Sequence, residues 1–425
     1  MTDIVLPNGK VIKINIFEIM VLGILIFVSL SAGTEWGYGY RGMAMNILSF
    51  ICVSALILKK KHKVNVETII CLILAGFMIV NAMLSIDKTA SMQWTKYIIT
   101  MMLVIVYGFD TEFWVKYKKV CFVWAVIVAI SVIISAISPT FITTFFGWVL
   151  GFSNDNTVSF LKRAASGQYA GFAREIAEAA VICNYGIAIC YARLFIDKII
   201  VKKDIVALFF LFIGLILTTK RTLFIVPFVL IPILILLTQK GLSNKIKWSL
   251  IFLLIALSVV VLMFSVPQLG RIVERFTETE NYENAGGRAI LWEISRDMFQ
   301  NEKIIGQGYG SYNTYAYDYG FRYMGEKWFS NGHNIYLQLL GETGVVGFGL
   351  IMSSFLLVLI KSINCLRKDC VTEEEKKHLV FCIYIQIMFL IYGITGNVLI
   401  YLQQLMTWTI VVAYSLSIIR RYKRR

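Results

Sequence analysis

The chain has 425 residues and a formal net charge of +15; 58% of its residues are hydrophobic and 16% are charged. Soluble globular domains carry about 25% charged residues. The composition therefore excludes an ordinary soluble enzyme and indicates a membrane protein. The positive charge does not indicate nucleic-acid binding, because most of it lies in loops between apolar segments.

Apolar segments long enough, or nearly long enough, to cross a bilayer recur along the chain. The twelve predicted spans lie at about residues 14–32, 43–58, 68–86, 97–110, 119–138, 166–192, 205–219, 222–238, 248–266, 334–360, 379–395 and 397–419. No convincing signal-peptidase site follows the first segment, so it is expected to be an uncleaved span. The predicted fold is an all-α polytopic membrane protein with one large extracytoplasmic loop that carries amphipathic helices.

The basic residues predict the orientation of the bundle. Of the 41 Lys and Arg residues, 26 lie in alternate connections and the two tails, at 1–13, 59–63, 116–119, 193–203, 240–247, 361–377 and 420–425. Basic connections face the cytoplasm, which places the protein in the cell membrane with both termini cytoplasmic. The chain then divides into nine spans (1–266), an extracytoplasmic loop (267–331) and three further spans with a basic tail (332–425).

Three charged residues, Arg163, Arg174 and Glu178, precede or enter the sixth predicted span. Arg174 and Glu178 are one helical turn apart, so they can pair on one face and neutralise each other inside the bundle. Charged residues at membrane depth also line outward-facing cavities. Both interpretations stay open.

The turn Thr218-Thr219-Lys220-Arg221 joins spans seven and eight on the predicted outer side. A snorkelling anchor accounts for one cation there, but two cations on so short a turn favour an anion site. Because a guanidinium binds phosphate oxygens bidentately, Arg221 is the stronger phosphate ligand and Lys220 the second.

Residues 287–302 carry apolar side chains at helical spacing, which predicts an amphipathic helix on the membrane surface or across the mouth of the bundle. Arg288 begins this helix, where backbone N–H groups also favour anions. The segment Gly306-Gln307-Gly308-Tyr309-Gly310 is interpreted as a turn. Six tyrosines between residues 309 and 329 are typical either of an interfacial aromatic belt or of a surface that stacks on sugars.

His333 is the histidine best placed for chemistry, because His62 and His378 lie in lysine-rich loops. It enters the tenth predicted span together with Asn334 and Glu342, and each of these groups is costly to transfer into lipid. The imidazole can serve as a base or position a hydroxyl, or it can simply hydrogen-bond its own loop. Asn334 and Glu342 are predicted to support the site.

The cysteines predict no metal site and no cofactor. Six of the eight lie in predicted spans, no CxxC pair occurs, and no His/Cys/Asp cluster has zinc spacing.

These segments together resemble the O-antigen ligase and Wzy-type polysaccharide polymerase superfamily, over the whole length of the chain. The family's His-Asn pair, followed after nine residues by Gly-x-x-Gly, occurs as His333-Asn334 with Gly344 and Gly347. The turn that ends at Arg221 resembles the family's small-polar-then-Arg turn. Gly287-Arg288 resembles the loop motif before Gly-x-Gly-Tyr-Gly. The order and the shared outer location of these patterns carry the resemblance.

The resemblance implies a metal-independent and inverting glycosyl transfer on the outer membrane face. The donor would be a glycan on undecaprenyl diphosphate, with Arg221, Arg288 and Lys220 on the diphosphate and His333 on the attacking hydroxyl. The implied partners are lipid-linked oligosaccharides as donor and acceptor, membrane lipid, and the flippase and chain-length regulator of the same pathway.

Three functions stay open from the sequence. A polymerase joins the glycan to another lipid-linked repeat unit, in capsule or exopolysaccharide synthesis, whereas a ligase transfers it to a different acceptor. A transporter would need coupling-ion carboxylates near the membrane midplane, and the clearest buried charges here lie outward. The many Lys, Ile and Asn residues are typical of a low-GC Gram-positive source, which has no lipopolysaccharide core as acceptor, and this favours the polymerase.

Overall fold

The computed structural model describes residues 2–5, 11–14, 16–31, 34–58, 65–173, 175–197, 201–265, 288–323, 326–327 and 330–422. The helices in these ranges are α1 (Ile16–Leu30), α2 (Glu35–Leu58), α3 (Val66–Met83), α4 (Lys88–Tyr107), α5 (Thr111–Ile137), α6 (Pro139–Leu150), α7 (Asn154–Ala165), α8 (Ile176–Asp197), α9 (Lys202–Leu217), α10 (Arg221–Thr238), α11 (Leu242–Ser265), α12 (Arg288–Asn301), α13 (Tyr312–Tyr319), α14 (Ile335–Leu366), α15 (Glu373–Tyr392) and α16 (Leu402–Tyr422). Two short antiparallel hairpins pair β1 (Thr2–Val5) with β2 (Val11–Ile14) and β3 (Arg322–Tyr323) with β4 (Glu326–Lys327).

Each of the twelve predicted spans overlaps one of these helices, namely α1 to α5, α8 to α11 and α14 to α16. Seven helices in the described ranges are long and apolar enough to cross a membrane: α2, α3, α5, α8, α10, α14 and α16. The helical membrane class is thereby confirmed, and crossing by the other five helices stays a prediction. The short helices α6, α7 and α13 were not predicted, and α8 begins at Ile176 rather than near residue 166.

Two helices form the centre of the bundle. In α8 and α16, 83% of the spanning residues are buried within the protein, compared with 22% in α2 and α3, whose exposed faces are apolar. Helix α8 packs against α5, α9, α10 and α15, and α16 packs against α1, α4, α14 and α15. Small residues allow close approach: a Cβ on Gly214 of α9 would lie 2.9 Å from the Cα of Ala129 in α5.

Helix α14 is broken at Gly344, where φ is 60° and ψ is −171°. The break frees backbone groups, which bond to the segment that follows α12. The N–H groups of Val345 and Val346 donate to the carbonyls of Lys303 and Ile304, at 2.9 and 3.2 Å. In return, the carbonyls of Gly341 and Glu342 accept from the N–H groups of Gln307 and Gly308, at 3.0 and 2.9 Å. Non-helical backbone is tolerated at membrane depth only where protein or water satisfies it in this way.

The orientation of the bundle can be tested with one native cysteine. Cys370 is exposed in the basic connection between α14 and α15, whereas Asp318 is exposed on α13, before α14 begins. Because α14 separates the two positions, we expect a membrane-impermeant maleimide to label Asp318→Cys in intact cells and to label Cys370 only after permeabilisation. Labelling of Cys370 but not of residue 318 in intact cells would reverse the predicted orientation.

Candidate functional site

A polar cavity of about 690 Å³ lies at one end of the bundle. It is lined by the first turns of α8, α10 and α16, the end of α15 and the connection that follows it, residues from the start of α2 and α12, and the loop before α14. The chain order puts these positions at the helix ends that face away from the lysine-rich connections. They therefore share the end of the bundle that is predicted to face outside.

The cavity brings together the three predicted phosphate ligands, Lys220, Arg221 and Arg288. Arg221 and Arg288 are the first residues of α10 and α12, where the helix dipole also favours an anion. Burial lowers the pKa of Lys220; Glu175 opposes this effect, and Arg288 adds to it. A guanidinium also binds two phosphate oxygens at once, so the arginines are the stronger anion ligands. Arg41 of α2 also lines the cavity, and the sequence analysis did not single it out.

His333 lies in the same cavity, immediately before α14. Its backbone N–H donates to Oδ1 of Asn397 at 2.9 Å, and Asn397 itself is buried. Burial, and then the charges of Arg288 and Lys220, lower the pKa of His333 to about 4. The ring is therefore neutral at physiological pH and has a nitrogen that can accept a hydrogen bond or a proton.

The backbone is strained at two positions of this cavity. Among the described residues, Thr219 (φ 57°) and His333 (φ 50°) are the non-glycine residues with positive φ. Both line the cavity, beside Lys220 and before α14 respectively. Side chains with a Cβ rarely adopt this conformation, and strained positions cluster at functional sites. The strain thus marks the cavity independently of its charges.

The two residues predicted to support His333 make contacts of their own, and their support of the site stays a prediction. Asn334 is the N-cap of α14, and its Oδ1 accepts from the N–H groups of Tyr336 and Leu337 at 3.1 and 3.2 Å. Glu342 is fully buried, and its Oε1 accepts from Nε2 of Gln338 at 3.0 Å and from the N–H of Tyr312 at 3.1 Å. Glu342 lies outside the cavity lining and joins α14 to α13.

The acidic residues at the start of α8 take part in two contacts. Arg163 forms a bidentate pair with Glu175, at 2.6 and 3.0 Å, and Glu175 lines the cavity. Glu178 also lines the cavity and accepts a hydrogen bond from Nε2 of Gln403. Arg174, the predicted partner of Glu178, lies outside the described residues. The cavity-wall interpretation therefore has structural support for Glu175 and Glu178.

Gly344 and Gly347 maintain packing rather than contact the cavity. A Cβ on Gly344 would lie 2.3 Å from the carbonyl oxygen of Ile304, and one on Gly347 would lie 2.4 Å from the ring of Phe77 in α3. The Gly-x-x-Gly pattern thus keeps the broken helix α14 against both α3 and the segment after α12. That contact fixes where α14 begins, and His333 directly precedes this start.

We expect Gly344→Ala to destabilise the protein, because alanine rarely adopts the positive φ of this position and its Cβ would clash with Ile304. Overpacking of this kind costs about 1–3 kcal/mol. The matched control is Gly349→Ala on the same helix, where a Cβ would meet no atom within 4 Å. Thermal unfolding of the two purified variants in detergent tests this, and equal melting temperatures would contradict the role of the break.

The tyrosines of the predicted outer loop do not form one surface. Tyr309 and Tyr312 are buried, and their hydroxyls donate to the carbonyls of Leu399 and Leu291. Tyr319 is exposed. Neither the aromatic belt nor sugar stacking accounts for the two buried rings, which anchor the loop to the bundle.

Neutral polar residues of the connection between α15 and α16, and of the first turn of α16, are the part of the site that the sequence analysis missed. They are Thr395, Asn397, Tyr401, Gln403 and Gln404. The hydroxyls of Thr395 and Thr222 lie 2.7 Å apart and join the connection after α15 to the start of α10. The available signal was the pair of glutamines near the start of the last predicted span, since polar groups at membrane depth usually face a cavity.

A family model described as O-Antigen ligase matches residues 206–352. The matched segment includes Lys220, Arg221, Arg288, His333 and the Gly344-x-x-Gly347 pattern. The match confirms the predicted resemblance over this part of the chain, and it indicates glycan transfer of the ligase or polymerase type by a membrane protein. No curated protein matches the chain.

Proposed function

We propose that this chain, in which residues 206–352 match the O-Antigen ligase family, is a polysaccharide polymerase of the cell membrane. It would transfer a glycan from undecaprenyl diphosphate to a lipid-linked repeat unit on the outer face. The observation that carries the proposal is the meeting of Arg221, Arg288 and His333 in one cavity, although the three lie far apart in the sequence. The flippase and chain-length regulator of the pathway are the proposed partners.

The proposed reaction breaks the bond between the anomeric carbon and the diphosphate and forms a bond to the acceptor hydroxyl. The diphosphate leaves with the bonding electrons, and Arg221 and Arg288 place fixed charge where negative charge develops. The hydroxyl proton passes to the neutral ring of His333. Attack from the side opposite the diphosphate inverts the anomeric carbon.

Deletion of the gene in the producing cell tests the proposal. We expect lipid-linked single repeat units to accumulate and long polymer to disappear, because export supplies the substrate but nothing joins it. Wild-type protein expressed in the deletion strain should restore long chains. Polymer of normal length in the deletion strain would contradict the proposal.

A ligase is the second candidate, favoured by the description of the matching family. Purified protein in liposomes distinguishes the two when it is supplied with one lipid-linked oligosaccharide as both donor and acceptor. Lengthening of the oligosaccharide supports the polymerase. Transfer of preformed polymer to another acceptor, without lengthening, would establish the ligase. Movement of lipid-linked oligosaccharide between leaflets without any transfer would instead indicate a transporter.

A further inference from the structure

The first turn of α16 presents two buried glutamines to the cavity. Gln403 is 6% exposed and Gln404 is 2% exposed, and both line the cavity together with Tyr401. Neither lies in the segment that matches the family model, which ends at residue 352. The NH2 group of a glutamine amide can donate a hydrogen bond to a phosphate oxygen, but its carbonyl oxygen can only accept one.

The side-chain oxygens of both glutamines are buried without a hydrogen-bond partner among the described residues. For Gln403 the orientation of the amide is set by Glu178, because a carboxylate accepts hydrogen bonds and the Nε2 of Gln403 donates to it. The Oε1 atom must therefore point elsewhere. A buried polar atom without a partner is costly, and a cavity ligand that donates a hydrogen bond would remove that cost.

We propose that Gln403 and Gln404 form a glycan subsite that binds sugar hydroxyl or acetamido N–H groups, an inference that rests on the proposed function. Ionised phosphate oxygens accept hydrogen bonds and cannot satisfy two amide oxygens. Sugar hydroxyls and acetamido N–H groups donate and can satisfy them. Within one cavity, the cations Arg221, Arg288 and Lys220 thus match the diphosphate, and the amide oxygens match the glycan attached to it.

Gln404→Met and Gln403→Met test this subsite, because methionine has a similar shape and lacks the amide. The matched control is Gln386→Met in α15: Gln386 is 1% exposed and its Oε1 also has no partner among the described residues, but it does not line the cavity. The probes are undecaprenyl diphosphate and the lipid-linked oligosaccharide that accumulates in the deletion strain. Binding of each probe to purified protein in nanodiscs is measured alongside the melting temperature.

We expect each cavity variant to bind the glycosylated lipid about tenfold more weakly, as for the loss of one hydrogen bond, and to bind undecaprenyl diphosphate as the wild type does. Gln386→Met should bind both probes normally. If Gln403→Met melts early because Glu178 loses its donor, Gln404→Met decides. The subsite would be overturned if the cavity variants bound both probes equally weakly. It would also be overturned if both cavity variants bound the probes as the wild type does, because water alone would then occupy the amide oxygens. A wild-type protein that binds neither probe would overturn the proposed function itself.

Discussion

Arg221→Ala and Arg288→Ala are each expected to lower the turnover of purified protein by orders of magnitude. Each residue is the first of its helix, and both line the same cavity, where a guanidinium can bind two phosphate oxygens at once. An oriented charge that stabilises a developing anion lowers the activation barrier by about 3–4 kcal/mol, and its removal slows the reaction roughly a hundredfold to a thousandfold. Chain lengthening of a lipid-linked oligosaccharide, at matched protein levels, measures the loss.

The matched control is Arg296→Ala, two turns further along α12 than Arg288. Arg296 is exposed and does not line the cavity, so its removal should leave turnover unchanged. Near-normal turnover in both cavity variants would remove the phosphate role.

Lysine at either position should restore only part of the rate. A point charge replaces a planar fork that binds two phosphate oxygens at once. Burial also lowers the pKa of Lys220, so a second lysine in this cavity would share an environment that disfavours its charge. Full activity of Arg288→Lys would mean that net charge, rather than bidentate geometry, matters there.

The charged part of the site could be predicted from the sequence because charge at a membrane boundary is conspicuous. It is energetically costly to place Lys220 and Arg221 on a turn beside the membrane and His333 at the start of a span. Residues in such positions usually have a functional role. The structure places all three in one cavity with Arg288. Arg41 was missed because a single cation at the outer end of a span is indistinguishable from an interfacial anchor.

The neutral part of the site could not be predicted, because residue type does not show whether a polar group is satisfied locally. Asn334 caps its own helix, whereas Asn397 positions the backbone of His333 and Gln404 leaves an oxygen buried in the cavity. All three are amides near helix ends in the sequence. Only the packing of α14 to α16 distinguishes the cap from the residues that face the cavity.

In the fold, the long helices could be predicted from the sequence and the short ones could not. Twelve long apolar segments each predicted a helix that the structure contains, because a helix that is buried or in contact with lipid needs a long run of apolar residues. Helices α6 and α7 have 12 residues each, and their pattern is too short to distinguish from a loop. The break at Gly344 is also invisible in an apolar run, since it depends on contacts with Lys303 and Ile304 that come from the preceding loop.

His333→Ala is expected to fold and to bind donor but to fail to build long chains. The side chain is one polar group before α14, and the start of that helix is held separately by the cap of Asn334 and by the bond from the N–H of Ile335 to Gly393. His333→Gln keeps a hydrogen-bond acceptor but cannot take a proton. Substantial polymer from Gln but not from Ala would show that His333 positions the hydroxyl, and loss in both would show that it takes the proton. Normal chain length in both would remove His333 from the mechanism.

The pH dependence of stability and of turnover provides a second test of whether His333 accepts a proton. In the free protein the pKa of His333 is lowered from its ordinary value of 6.5 to about 4, mainly by burial and then by Arg288 and Lys220. As the pH falls below about 6.5, the unfolded chain gains a proton that the folded protein does not yet bind, so this residue makes the fold less stable with falling pH. Above that value the ring is neutral in both states and contributes no pH dependence.

For catalysis, kcat/KM reports the pKa of the free protein and kcat that of the substrate complex. We expect kcat/KM to show no inflection near 6.5 and to decline only as the pH approaches 4. The proposed diphosphate would offset the charges of Arg288 and Lys220 when it is bound. We therefore expect the pKa of His333 to rise in the complex and the acid limb of the kcat profile to move to higher pH. On the proposed mechanism, the substrate would make the ring a stronger base in the complex. Acid limbs that coincide in the two profiles, or that persist unchanged in His333→Gln, would contradict a proton-accepting role.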